Sequence, residues 1–391
     1  MAFTDLVVTM PSKSEIRQNI IQQAKCIVVK VGTRVITSDT GILDHARIDS
    51  LSAQLCHIAD SGRQTLLVSS GAVGAGVSKL ALAERPSGLA QLQAVAAIGQ
   101  TDLIQSYETA FAKRGRHAAQ VLLTATDLRR RGGYLNVRNS LNQIHSFGAI
   151  AIINENDSVA VSELMTTFGD NDRLASQVAG LLSEALLIVL SDVDGLYDGP
   201  PDSEKSKKLD TVTQIDDSIL AMAQTHKNNQ SRGGMESKLR AAKTATSHGH
   251  PTIIAPGRDD RVLDKIMDGE IVGTLFLPPE RSIKGRKRWI GSSAEVNGSI
   301  TIDAGAESAI TRRGSSLLAI GILKLTGSFT EGSVIAILDQ TGKELARGLS
   351  NYPSSEIKKI MGLPSEQISE VLGHRPYECV IHRDNLVLLQ D

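Results

Sequence analysis

"CIVVKVG" (residues 26–32) is a nearly unbroken run of Ile and Val that ends on glycine. An apolar run without alternation reads as a strand covered on both faces. Working outward, the same style recurs in "QTLLVSSGAVGAG" (64–76), "AAQVLLT" (118–124), "GAIAIINEND" (148–157), "EALLIVLSDVDG" (184–195) and "HPTIIAPG" (250–257). Between these lie segments with helical spacing: "ARIDSLSAQLCHIADSG", "LAQLQAVAAIGQTDLIQSYETAFAKRG", "DRLASQVAGLLSEA" and "GGMESKLRAAKTATSHG". Strand and helix in alternation predict an α/β domain whose mostly parallel sheet is sandwiched by helices. Ligands of such sheets sit at the carboxyl ends of the strands.

The pattern changes near residue 278. "PPERSIKGRKRWIG" reads as a polar, basic linker, and short glycine-punctuated strands follow it: "GSITIDAG", "AIGILKLTG", "SVIAILDQTGKELARG" and "CVIHRDNLVLL". With one helix in "SSEIKKIMG", this predicts a small, mostly β second domain. Residues 1–23 read as an N-terminal arm with a short helix N-capped by Ser14. The expected layout is the arm, a first domain over 24–278, and linker plus second domain over 279–391.

With 41% hydrophobic residues, 391 residues can bury a sizeable core. A net charge of −1 gives no global attraction for nucleic acid or membranes. Cys26, Cys56 and Cys379 are far apart and form no CxxC pair, which fits a reducing cytoplasm. No apolar run is long enough to span a bilayer, and the N-terminus lacks the ordered regions of a signal peptide.

The unusual polar clusters fall at predicted strand ends. Lys30 interrupts an apolar strand just before Gly32 and Thr33; it is either an anion clamp or a lysine snorkelling to water. Ser69, Ser70, Gly71, Gly74 and Gly76 follow the next strand, where glycines would let backbone N–H groups approach an anion or simply form a tight turn. "INEND" (153–157) places Asn154, Glu155, Asn156 and Asp157 together, amides and carboxylates that can hold an ammonium and a carboxylate at once, or serve as turn residues. "GDND" (169–172) starts a predicted helix, and a cap needs one such side chain where Asp170, Asn171 and Asp172 are three. "LSDVDGLYD" carries Ser191, Asp192, Asp194 and Tyr197 without the later glutamate of a calcium loop. "SRGGMESK" (231–238) sets a glycine pair before a helix with Lys238 one turn in, suited to a triphosphate. The nine histidines show no zinc spacing.

Taken in order, "VVKVGT", "SSGAVGAG", "INEND", "GDND", "LSDVDGLY" and "GGMESK" resemble the glutamate 5-kinases of the amino acid kinase family, over roughly residues 25–391. The C-terminal part is similar to a PUA domain. The resemblance implies transfer of the ATP γ-phosphoryl group to the side-chain carboxylate of L-glutamate, giving γ-glutamyl phosphate, the first step of proline biosynthesis. It assigns Lys30 and Lys238 to stabilising the transferring group, and Asp172 to holding the lysines. Ser70, Asn154, Asp157 and Asn171 are assigned to glutamate. Ser191, Asp192 and the stretch Arg232, Gly233, Gly234, Met235, Glu236, Ser237 and Lys238 are assigned to ATP, as is Lys30. Mg²⁺ is expected on the ATP phosphates, with no dedicated protein site. A cytoplasmic homo-oligomer, dimer or tetramer, is implied, with L-proline as feedback inhibitor. Where the family often carries threonine, this chain has Ser191 and Arg232.

Two other readings compete. A relative acting on acetylglutamate, aspartate, carbamate or a nucleoside monophosphate would share the fold, but an acetylated amine has no ammonium for Asp157. An RNA-binding role for the second domain is motivated by Lys284, Arg286, Lys287 and Arg288 beside Trp289; near-neutral charge favours a solvated linker instead.

Overall fold

The computed structural model describes residues 12–38, 41–124, 127–128, 131–159, 170–200, 203, 205–224, 234–279 and 296–389. The chain divides into two compact units. One comprises Met1–Ala125 and Ser140–Glu280, the other Thr126–Asn139 and Arg281–Asp391.

Eight strands form the sheet of the first unit: β1 Cys26–Val31, β2 Gln64–Ser69, β3 Ala118–Leu123, β4 Ile150–Glu155, β5 Ala185–Ser191, β6 Thr211–Val212, β7 Thr252–Pro256 and β8 Thr274–Phe276. Their order is β3-β4-β2-β1-β5-β7-β8-β6. All six long apolar runs are strands, and β1, β2, β4 and β5 are buried along their whole length. Pairing is parallel from β3 through to β7. The exceptions are β8, antiparallel to β7, and β6, which pairs with β8. Neither is legible as a buried run, because both are too short.

β1 lies in the middle. The chain builds outward to β2, β4 and β3 on one side, then returns to place β5 and β7 on the other. That reversal opens a crevice at the carboxyl ends of β1 and its neighbours. Register then sets the chemistry: Lys30 pairs with Val68 of β2 and Val189 of β5, and Val31 with Ser69 and Leu190. Ser70 and Ser191 therefore emerge level with each other, two residues beyond Lys30.

The arm's helix, Lys13–Gln23, is capped by Ser12 and not Ser14. Ser12 Oγ accepts from the Glu15 N–H at 3.2 Å, and Glu15 Oε2 accepts from the Ser12 N–H at 2.6 Å. This reciprocal box needs Glu three residues after the cap, which only Ser12 has. The helix is docked: Ile21 joins the core, and buried Arg17 donates to the carbonyls of Val272 and Asp210, both at 2.8 Å.

The second unit is a five-stranded sheet in the order β10-β9-β11-β12-β13, with β9 Gly298–Ile302, β10 Ile322–Gly327, β11 Val334–Leu338, β12 Glu344–Leu349 and β13 Leu386–Leu388. Besides the expected helix, Ser354–Ile360, it carries Ala304–Thr311 and Ile368–Leu372. Residues 126–139, which the apolar pattern kept with the first domain, belong here. Leu135 is buried in this core, and Arg138 Nη1 donates to Asn385 Oδ1 at 3.1 Å.

Candidate active site

Three buried charges meet at the end of β1. Lys30 Nζ lies 2.6 Å from Asp172 Oδ1, both side chains under 10% exposed. Asp172 sits in the first turn of the helix Asp170–Leu181. Asn171 and Asp172 are thus first-turn residues of that helix and not its cap. The other Asp172 oxygen accepts from Ser237 Oγ at 2.8 Å. Ser237 and Lys238 stand in the helix Gly234–Ser247, and Lys238 folds back so that Nζ donates to the Gly234 carbonyl at 2.9 Å. Burial pushes the Asp172 carboxyl up, but Lys30, Lys238 and the Ser237 hydroxyl outweigh it and hold the group below its ordinary value. Burial pushes Lys238 down; Lys30 and Arg34 push the same way, against Asp172 and Asp192. Two buried ammonium groups thus lie in the field of one carboxylate, Lys30 in contact with it and Lys238 held on the Gly234 carbonyl. An uncompensated buried charge is costly, so this pocket favours an incoming anion.

At its edge, Arg34 Nη1 pairs with Asp192 Oδ2 at 2.9 Å, and Ser191 Oγ donates to Asp192 Oδ1 at 3.0 Å. Arg34 belongs to the short helix Thr33–Ile36 that follows Gly32, so the β1 turn brings a third cation to the β5 end. Arg258 donates to the Arg34 carbonyl from Nη2 at 3.0 Å.

Beside the charges lies a network of amides. Asn171 Nδ2 donates to Ser70 Oγ at 2.9 Å and to Asn154 Oδ1 at 3.1 Å. Asn154 Oδ1 also accepts from the Glu155 N–H at 2.9 Å, and Asn154 Nδ2 donates to Gln100 Oε1 at 2.8 Å. Asn171 Oδ1 is buried with no hydrogen-bond partner among the described residues. Ser70 Oγ accepts from Asn171, which leaves its own proton to donate. The pocket therefore offers a donor and an acceptor side by side, with half-buried Asp157 in the turn after β4. An α-amino acid needs that combination for its carboxylate and ammonium.

A model of the amino acid kinase family matches residues 25–256. The chain belongs to this family. A PUA domain model matches residues 298–372. The glutamate 5-kinase of Rhodopirellula baltica is 61% identical over 373 residues, covering 95% of this chain and 96% of that protein. The glutamate 5-kinase of Moorella thermoacetica is 43% identical, covering 94% and 97%. That of Caldanaerobacter subterraneus subsp. tengcongensis is 44% identical, covering 93% and 98%.

Within this amino acid kinase domain, Lys30, Asp172, Ser237 and Lys238 form one cluster, and Ser70, Asn154 and Asn171 another. Ser191 and Asp192 lie at the β5 end. Gly234 and Met235 begin the Lys238 helix, while Glu236 pairs with Arg240 at 2.6 Å along that helix. Asp194 accepts from Tyr197 Oη at 3.0 Å and so organises its own loop. Arg232, Gly233 and the basic run around Trp289 lie outside the described residues. The glycine-rich stretch forms the tight strand-to-helix turn, one of its two readings. Gly71, at φ +110°, makes the left-handed turn into the helix Ala72–Lys79. Gly76 lies inside that helix, where a Cβ would overlap the Val95 carbonyl. Gly76 thus serves helix packing. Two site residues escaped sequence reasoning. Arg34 had a faint signal, a cation in the turn after Lys30. Gln100 had almost none, being one of four glutamines in the helix Leu89–Ala112.

Proposed function

We propose that this chain is a glutamate 5-kinase that uses ATP to phosphorylate the side-chain carboxylate of L-glutamate. The observation that carries the reading is a pair of buried lysines around one carboxylate, Lys30 in contact with Asp172 and Lys238 within its field, next to a pocket of oriented amides. A carboxylate and a triphosphate repel each other. Lys30 and Lys238 offset that repulsion; Asp172 holds the Lys30 ammonium directly and the Lys238 helix through Ser237. The nucleophile is already an anion at neutral pH, so no general base is needed. Ser70, Asn154, Asn171 and Asp157 hold glutamate by its carboxylate and ammonium, leaving the γ-carboxylate toward the lysines. Ser191, Asp192, Arg34 and the 232–238 stretch hold the nucleotide.

Both carboxylates nearest the lysines are engaged, Asp172 by Lys30 and Ser237, Asp192 by Arg34 and Ser191. That pattern suits a Mg²⁺ ion bound through the ATP phosphates, where it would neutralise their charge. The same reading includes L-proline as an inhibitor in the glutamate pocket, a cytoplasmic dimer or tetramer, and RNA as an auxiliary ligand of the PUA unit. Among the described residues no helix is long and apolar enough to cross a membrane.

ADP release is the test, with L-glutamate, N-acetyl-L-glutamate and L-aspartate compared at equal concentration. Turnover with L-glutamate alone is expected. Faster turnover with the acetylated acid would overturn the substrate assignment.

A further inference from the structure

We propose that Gln100 is a positioning residue that sets the donor and acceptor pattern of the glutamate pocket; the proposal rests on the glutamate kinase reading above. The reasoning starts from one atom whose identity is not in question. A backbone N–H only donates, so the atom of Asn154 facing the Glu155 N–H at 2.9 Å is oxygen. The other end of that amide is then Nδ2, and it faces Gln100 at 2.8 Å. Gln100 must present oxygen to it. The Asn154 oxygen also faces Asn171, which must present Nδ2, at 3.1 Å. The same Nδ2 donates to Ser70 Oγ at 2.9 Å. This leaves the Ser70 proton and Asn171 Oδ1 as the donor and acceptor that glutamate meets.

Gln100 closes this chain at its buried end. Gln100 is 8% exposed and Asn154 2%. Remove the Gln100 oxygen and Asn154 Nδ2 is left in a dry environment with nothing to accept from it. Asn154 then gains by rotating, and Asn171 loses the acceptor that fixes its own amide. The Gln100 position is itself built in. Gln100 stands on the helix Leu89–Ala112, next to Gly99, where a Cβ would overlap the Ala72 carbonyl. Gly99 and Gly76 let this helix press backbone to backbone onto Ala72–Lys79, which holds Gln100 within reach of β4. Gln100 Nε2 is buried with no partner among the described residues. Its amide is therefore held from the Oε1 end, through Asn154.

Steady-state kinetics on the intact chain provide the test, with wild type, Gln100→Met and Gln100→Glu side by side. Gln100→Met keeps length and loses the acceptor. Gln100→Glu keeps an acceptor oxygen at the same reach. The expected result is a KM for glutamate raised about tenfold in Gln100→Met, the factor one lost hydrogen bond is worth. The KM for ATP should stay within about twofold, outside the reach of this network, and Gln100→Glu should fall nearer wild type. If Gln100→Met does not fold, Gln100→Ser, which also cannot reach Asn154, takes its place. A merely structural role would lower the melting temperature without splitting the two KM values, and that outcome overturns the proposal. So does a Gln100→Glu variant as impaired as Gln100→Met. A wild-type chain inactive on glutamate overturns the underlying reading; an active wild type with an unchanged glutamate KM in Gln100→Met overturns this proposal alone.

Discussion

Lys238 is the residue at which the site's electrostatics can be read most simply. It is buried, close to a second lysine, and hydrogen bonded to a carbonyl of its own helix. Burial, Lys30 and Arg34 lower its pKa below the ordinary 10.5, so it loses its proton earlier than a solvated lysine does. The kcat/KM for ATP, which reports groups of the free protein, should therefore show an alkaline limb below pH 10.5, as the charge on the transferring group loses its partner. Lys238→Arg, which stays protonated, should shift that limb upward in whatever activity remains; a limb unmoved by the substitution would rule Lys238 out as its source. The effect on stability has the opposite sense. The folded state binds this proton less tightly than the unfolded chain, so the penalty of charging Lys238 is present at low pH and relieved as pH rises through the folded value. Lys30, Asp172 and Lys238 were legible because a charge next to an apolar strand or a glycine turn is costly without a purpose. Gln100 was not, because a buried amide matters only through the partner that folding supplies.

At the scale of elements, the glycines show where sequence runs short. Gly71, Gly74 and Gly76 look alike on the page, as a loop beside an anion or as a tight turn. In the fold, Gly71 turns the chain and Gly76 lies in a helix against Gly99's helix. Which role a glycine plays depends on what lies opposite it, and the Gly76 contact comes from residues 95–99. Gly99→Ala tests this packing. Alanine favours a helix over glycine by about 1 kcal/mol, but here its methyl would displace the Ala72 carbonyl. Overpacking of this kind costs about 1–3 kcal/mol. A net loss of stability is expected in denaturant melts, and an unchanged or raised midpoint would contradict the close approach. The strands were legible because burial on both faces writes unbroken Val and Ile runs. The antiparallel edge of β8 and β6 was not, since its strands hold three and two residues.

Over the whole molecule, the α/β unit and the small β unit were both visible as a change from long apolar runs to glycine-punctuated strands. The placement of residues 126–139 with the second unit was not, because it rests on partners remote in sequence, such as Asn385 for Arg138. The arm also changes meaning at this scale. Arg17 of the arm's helix is buried on the carbonyls of Asp210, Val272 and Gly273, residues remote in sequence. Asp172 shows the same closure at the site: one carboxylate joins the ends of β1, the 170–181 helix and the 234–247 helix. This carboxylate holds Lys30 directly, and the Lys238 helix through Ser237, where a carboxylate and a phosphoryl group must meet. The most direct measurement is the rate at which the intact chain, with MgATP, L-glutamate and hydroxylamine, yields γ-glutamyl hydroxamate, wild type beside Asp172→Asn. Wild type should give glutamate-dependent product, and the variant a rate lower by about 100-fold or more, the scale of losing an aligned charge partner. Equal rates in the two proteins would contradict that role of Asp172.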